Sequence, residues 1–177
     1  KDKTESRIKA FFQKSGFKDQ PDVVNGKELP RIDELLKKVD WESLFEGVPV
    51  LFHGDFQPEN IVVGEEQKVS LIDWRQDFGG IEEYGDIYYD FAKLYHALLI
   101  SGEIIRNNQY RVEFLGTKIE YDYLVKGNLL EYRDILDDFI LANRYSLRRV
   151  KLLSSLIYLN IAALHHEPYD RFLFYLG

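Results

Sequence analysis

Apolar positions along the chain follow two periods, and their alternation predicts the order of elements. Ile8, Phe11 and Phe12 share one face of a short helix over residues 4–15, with Gly16 as its stop. Residues 17–30 are polar and broken by Pro21, Gly26 and Pro30, which predicts an irregular loop. Ile32, Leu35, Leu36 and Val39 return to helical spacing, with a continuation toward Phe45. Val48 to Phe52 reads as a short strand, and Ile61–Val63 with Lys68–Ile72 as a hairpin around Gly64, Glu65 and Glu66. A helix opens near Asp86, carries Phe91, Leu94, Tyr95, Leu98 and Leu99 on one face, and ends near Gly102. Over residues 109–125 the period drops to two: Tyr110, Val112 and Phe114 precede Gly116, and Ile119, Tyr121 and Tyr123 follow it, as in a β-hairpin. Helices over 128–143, 146–164 and 169–176 complete the chain, the middle one opened by Ser146, a residue suited to capping. The fold class this predicts is α+β, mostly α, with short β-hairpins.

Composition narrows the picture. With 177 residues, 45% hydrophobic and 15% aromatic, the chain can bury one good core and at most a small second subdomain. Its 30 acidic and 23 basic residues give a net charge of −7, which argues against nucleic acid or an anionic membrane as partner and suits a cationic ligand. Cysteine is absent, so neither disulfides nor a thiolate metal site can form, and a reducing, cytoplasmic location is expected. No stretch approaches the roughly 18 apolar residues of a membrane span. A chain that starts Lys1-Asp2-Lys3 and contains no methionine reads as a piece of a longer protein.

The candidate chemistry lies in His53-Gly54-Asp55-Phe56-Gln57-Pro58-Glu59-Asn60, followed by Leu71-Ile72-Asp73-Trp74. An Asp able to take a proton from a hydroxyl, an Asn five residues on, and a second Asp at the end of a hydrophobic strand is the arrangement that ATP-dependent phosphoryl transfer uses. A carboxamide oxygen and a carboxylate are hard ligands suited to Mg²⁺. Taken singly, an Asp after Gly is most often a turn former, so it is the ordered set that carries the reading.

The run from His53 to Trp74, together with Gly85-Asp86-Ile87-Tyr88-Tyr89-Asp90-Phe91-Ala92, resembles the aminoglycoside phosphotransferase and choline kinase-like enzymes, which share the catalytic lobe of protein kinases. The resemblance implies that Asp55 is the catalytic base and that Asn60 and Asp73 hold Mg²⁺. His53 and Asp90 would support the loop, and Trp74 would pack in the core beneath Asp73. It implies ATP and Mg²⁺ as cofactors and a small-molecule alcohol as acceptor: an amino alcohol, an aminoglycoside or a sugar. The whole chain, 1–177, would then be a protein-kinase-like C-terminal lobe, with its catalytic and metal loops within 48–100 and a helical subdomain over 126–177. The nucleotide-clamping N-terminal lobe would be missing, leaving the isolated chain inactive.

Two features depart from the family pattern. Arg75 stands where choline kinase-like members carry an acidic residue, which weakens the case for a quaternary amine. The stretch from Arg75 to Tyr84 is longer than the family loop, and Asp77, Glu82, Glu83 and Tyr84 on it are candidates for lining an acceptor pocket; each alone reads rather more readily as a solvated loop position. The alternative from another class is a non-catalytic kinase-like module that binds or scaffolds. The intact Asp55, Asn60 and Asp73 argue against it.

Overall fold

The computed structural model describes residues 1–177 and is α+β, predominantly helical with three small sheets. The chain falls into two compact units, each assembled from separated segments. Residues 126–177 divide between the two, the break falling after Ser154.

The first unit comprises residues 1–43, 102–124 and 155–177. It opens with α1 (Asp2–Ser15), closed by Gly16 in the left-handed conformation at φ 72°. The segment expected to be irregular holds a hairpin instead, β1 (Asp22–Val24) and β2 (Lys27–Leu29), turned by Asn25 and Gly26 at φ 47° and 78°. Two consecutive positive φ values are what an Asn-Gly turn supplies, and they match the twist of the flanking strands. The helix expected from Ile32 through about Val39 is α2 (Ile32–Lys37), and its continuation toward Phe45 is a separate helix, α3 (Trp41–Phe45), which ends in the second unit. The carboxylate of Asp19 starts α2 by accepting from the amides of Ile32 (2.8 Å) and Asp33 (3.3 Å).

β7 (Tyr110–Leu115) and β8 (Lys118–Tyr123) form the hairpin read from the alternating pattern. β8 also pairs in parallel with β1, giving a sheet ordered β2-β1-β8-β7. Its core is aromatic: Phe172, fully buried on α8 (Tyr169–Leu176), meets Tyr110, Tyr121 and Tyr123, and Phe11 of α1 stacks on Phe174 at 4.3 Å.

The second unit, residues 44–101 and 125–154, carries the candidate chemistry. β3 (Pro49–Val50) pairs with β6 (Gly85–Asp86), and β4 (Ile61–Val63) with β5 (Val69–Leu71). From β6 the chain enters α4 (Ile87–Leu99), packed against α6 (Gly127–Ala142). One carboxylate sets this junction: Asp86 accepts from Val48 N–H at 3.0 Å and, as N-cap of α4, from Tyr88 N–H at 3.1 Å. Phe91, Ala92, Tyr95 and Leu98 form the buried face of α4, as their spacing predicts. α7 (Leu147–Ala162) begins in this unit, where Ser146 Oγ accepts from Arg149 N–H at 3.3 Å and buried Ser154 donates to Ala92 C=O of α4 at 3.1 Å. One turn not expected from the sequence, α5 (Gly102–Arg106), belongs to the first unit. No helix is long and apolar enough to cross a membrane.

Candidate active site

The loop after β3 is held from below by α4. The Asp90 carboxylate accepts from His53 N–H at 2.7 Å and from Gly54 N–H at 2.8 Å, one amide to each oxygen. Two backbone donors that no strand could pair are thereby satisfied by one charged group. Gly54 sits at φ 80°, and a Cβ there would lie 2.6 Å from Cβ and Cγ of Arg75 and 2.7 Å from the Phe52 ring. Only glycine meets both the conformation and the space.

The imidazole of His53 fastens the same loop sideways. Its Nδ1 accepts from Asp55 N–H at 3.3 Å, so the proton resides on Nε2, which donates to Ile72 C=O at 2.8 Å. The ring, 3% exposed, lies 4.8 Å from that of Trp74. His53 C=O in turn accepts from Arg75 N–H at 2.9 Å, so the end of β5 and the loop are clipped together at two points. Trp74, expected in the core, is 45% exposed and donates from Nε1 to Leu71 C=O at 3.0 Å. Its indole covers the outer face of His53 instead of filling the interior.

Asp55 is 7% exposed and Asn60 8%. The Asn60 amide donates to Asp55 C=O at 2.8 Å and leans on Asp55 Oδ2 at 3.4 Å, which leaves Asn60 Oδ1 uncommitted. Ile72 N–H donates to Asn60 C=O at 3.0 Å, continuing the β4–β5 ladder and bringing Asn60 and Asp73 to the same open end of the hairpin. Asp73 itself is exposed and adopts φ 59°. A left-handed conformation in a residue other than glycine costs on the order of 1–3 kcal/mol, and such positions concentrate at functional sites. The Asp73 carboxylate makes no hydrogen bond or ion pair within the chain.

A residue that motif reading did not single out completes the set. Lys93, one turn beyond Asp90 on α4, places its ammonium 2.6 Å from Asp55 Oδ1, and its side chain is 13% exposed. The signal was present: residues three apart on a helix share a face, so a Lys at that offset from a loop-anchoring Asp points at the same loop. Arg75 stands on the other side, its Nη2 3.8 Å from Asp55 Oδ2 and its side chain 62% exposed. Burial pushes the Asp55 carboxyl up, but the hydrogen bond and charge of Lys93, the charge of Arg75 and the Asn60 amide outweigh it and hold the group below its ordinary value. Asp55 is therefore ionised at neutral pH. Tyr89 moves the other way, raised by burial and by the carboxylates of Asp55 and Asp90 against the pull of Arg75, so its hydroxyl keeps its proton.

The long loop behaves differently from expectation in part. Asp77 turns onto its own backbone, accepting from Gly80 N–H at 2.7 Å in a turn closed by pairing of Phe78 with Ile81. Glu82 and Glu83 are exposed and make no ion pair or hydrogen bond. Tyr84 lines an apolar groove of about 220 Å³ with Val48, Pro49, Phe78 and Ile81, a groove that none of Asp55, Asn60 and Asp73 lines. His53, Asp55, Asn60 and Asp90 are thus brought together with the hairpin end that bears Asp73, while the loop carboxylates do not join them by any contact.

A buried, ionised carboxylate on a loop that also carries an uncommitted amide oxygen, with an unpaired carboxylate at the adjoining hairpin end, comprises groups able to accept a proton and to ligate a hard cation. A model of the phosphotransferase enzyme family matches residues 5–118, more than half of the chain and all of this site, and the protein belongs to that family. The resemblance read from the motifs therefore holds at the level of family. Comparison with curated proteins finds no match, and comparison with solved structures finds none.

Proposed function

We propose that this protein is an ATP- and Mg²⁺-dependent phosphotransferase acting on a hydroxyl group of a small molecule, and that its second unit is the core of a protein-kinase-like C-terminal lobe. The observation that carries the reading is the placement of Asp55: an ionised carboxylate on a loop held by Asp90 and His53, beside Asn60 and the hairpin end bearing Asp73.

The residues fit a magnesium ion of the kind that takes few protein ligands and several phosphate or water oxygens. Asn60 spends its NH₂ on Asp55 and keeps Oδ1, a hard donor; Asp73 keeps its whole carboxylate. When bound there, Mg²⁺ supplies charge neutralisation on the phosphates. The chain's own part is positional. Asp55 accepts the acceptor's hydroxyl proton, which no alcohol releases unaided at neutral pH, and the His53 and Asp90 contacts keep the base from drifting.

Arg75 beside the base disfavours a quaternary amine and favours an acceptor that is neutral or acid-bearing. Among the acceptor classes the family resemblance brings, sugars suit the site better than amino alcohols.

Paired variants test this function. Asp55→Asn is expected to lower transfer by about 10²–10⁴-fold while ATP·Mg²⁺ binding persists, and Asp73→Ala to weaken metal-dependent nucleotide binding. Undiminished turnover by Asp55→Asn would overturn the assignment.

A further inference from the structure

We propose that Lys93 is a positioning residue for Asp55: its ammonium occupies Oδ1, so that Oδ2 is the oxygen presented to the acceptor hydroxyl, and it keeps a positive charge beside the base while the proton moves. The catalytic part of this inference rests on the phosphotransferase reading above; the pairing of Lys93 with Asp55 does not.

The geometry separates the two oxygens of the base. Oδ1 is taken by the Lys93 ammonium at 2.6 Å, a charge-assisted bond between two groups that are each nearly enclosed. Oδ2 has only looser neighbours, the Asn60 amide at 3.4 Å and the Arg75 guanidinium at 3.8 Å. An incoming hydroxyl therefore meets Oδ2 without first displacing a tight partner. Lys93 is also well anchored, since it belongs to the same helix, α4, whose Asp90 holds the loop. Loop and ammonium are thus fixed to one rigid element, and the orientation of the carboxylate is set by it.

A charge argument gives the ammonium a second task. The loop from His53 to Asn60 contains no Lys or Arg, so nothing on it can balance the charge of a transferring phosphoryl group. In the transfer step the acceptor O–H proton passes to Asp55 Oδ2, the acceptor oxygen bonds to the γ-phosphorus, and the bond from that phosphorus to the β–γ bridging oxygen breaks, releasing ADP. Asp55 becomes neutral as it takes the proton. The Lys93 ammonium, until then matched by the carboxylate, is left as net positive charge next to the reacting groups, where negative charge is being redistributed.

The test uses Lys93→Met, which keeps the length and apolar stem, and Lys93→Arg, which restores the charge. Lys93→Met is expected to lower kcat by about 100-fold, the cost of a small misplacement of a catalytic group, with KM for ATP unchanged within about twofold. Lys93→Arg is expected to recover most of the loss. In an Asp55→Asn background, Lys93→Met is expected to reduce kcat by much less than about 100-fold, because its orienting task acts through Asp55 and only the charge beside the reacting groups remains to be lost. A merely structural Lys93 would instead raise KM along with lowering kcat, and its loss would add in full to that of Asp55→Asn; either result overturns the proposal. Should Lys93→Met fail to fold, Lys93→Gln, which still donates to Oδ1 without charge, takes its place and must show the same kcat-only loss. A folded Lys93→Gln with wild-type kcat would likewise overturn it. Failure of the phosphotransferase reading would appear separately, as no acceptor-dependent ADP release by the unmodified full-length protein.

Discussion

Removing the Asp90 carboxylate should cost this protein a substantial part of its stability. Its two oxygens hold the amides of His53 and Gly54 at 2.7 and 2.8 Å, and no alternative acceptor is bonded to either amide. A hydrogen bond to a charged group contributes about 1.5–3 kcal/mol, and an amide stranded away from water forfeits a similar amount. Because Asp90 is half-buried, the lower end applies to each bond, which puts Asp90→Ala at about 3 kcal/mol. Asp90→Asn retains one acceptor oxygen and should cost roughly half as much. For a chain of this size the alanine variant should melt about 6–12 °C lower. Guanidinium denaturation gives the free energies, and amide hydrogen exchange locates them. The His53 and Gly54 amides should exchange much faster in Asp90→Ala while amides in the middle of α4 keep their relative protection. A loss below about 1 kcal/mol, or unchanged exchange at these two amides, would refute the claim that α4 holds the loop through this carboxylate.

Three further outcomes follow from the same geometry. Burial first, then the charge of Lys93, lowers the His96 imidazole from 6.5 to about 4. The unfolded chain therefore binds more protons there, and this contribution to stability is intact above pH 6.5 and falls as pH drops toward 4, by roughly 3 kcal/mol in all; NMR titration should find the His96 ring midpoint far below that of an exposed histidine, and an ordinary midpoint would contradict its burial as a neutral ring. Gly54→Ala should destabilise by more than about 2 kcal/mol, from the left-handed conformation together with the clash on Arg75 and Phe52, a loss measurable by thermal melting, with a change under about 0.5 kcal/mol counting against the geometry. Arg75→Glu should shift acceptor preference from acidic or neutral alcohols toward cationic ones, read as a ratio of kcat/KM values; an unchanged ratio would remove Arg75 from acceptor selection.

Much of this architecture was legible because its elements obey a single period. The β7–β8 hairpin alternates cleanly through Tyr110, Val112 and Phe114, and α4 carries its apolar face at unbroken helical spacing. The hairpin β1–β2 was missed for a chemical reason. Asn25 and Gly26 are a turn signal in themselves, but the strands they join are only three residues long, too short to show a period, and they are stabilised by pairing β1 with β8, nearly a hundred residues away. The helix read through about Val39 is present as α2, whereas its continuation toward Phe45 is interrupted and resumes as α3, because two short apolar runs in phase read as one. In the site, the positions of Asp55, Asn60, Asp73 and Asp90 in the chain pointed to the loop, whereas the Lys93–Asp55 pair depends on how α4 faces that loop. The basic residues near the start of α7 depend on facing in the same way: Arg149 lies over the Tyr88 ring at 4.3 Å and donates to Leu44 C=O, and Lys151 pairs with Asp137, contacts that their place in the chain does not convey. Asp77 was legible as a loop carboxylate but not as one committed to its own turn.

The most direct test of the central claim is ADP release from ATP·Mg²⁺ by the full-length protein against sugars, acid-bearing sugars, aminoglycosides and amino alcohols, with Asp55→Asn measured in parallel. The account predicts that one class of alcohol stimulates release and that the stimulation disappears in Asp55→Asn while ATP remains bound. Stimulation that persists in Asp55→Asn, or bound ATP that no alcohol turns over, would contradict it.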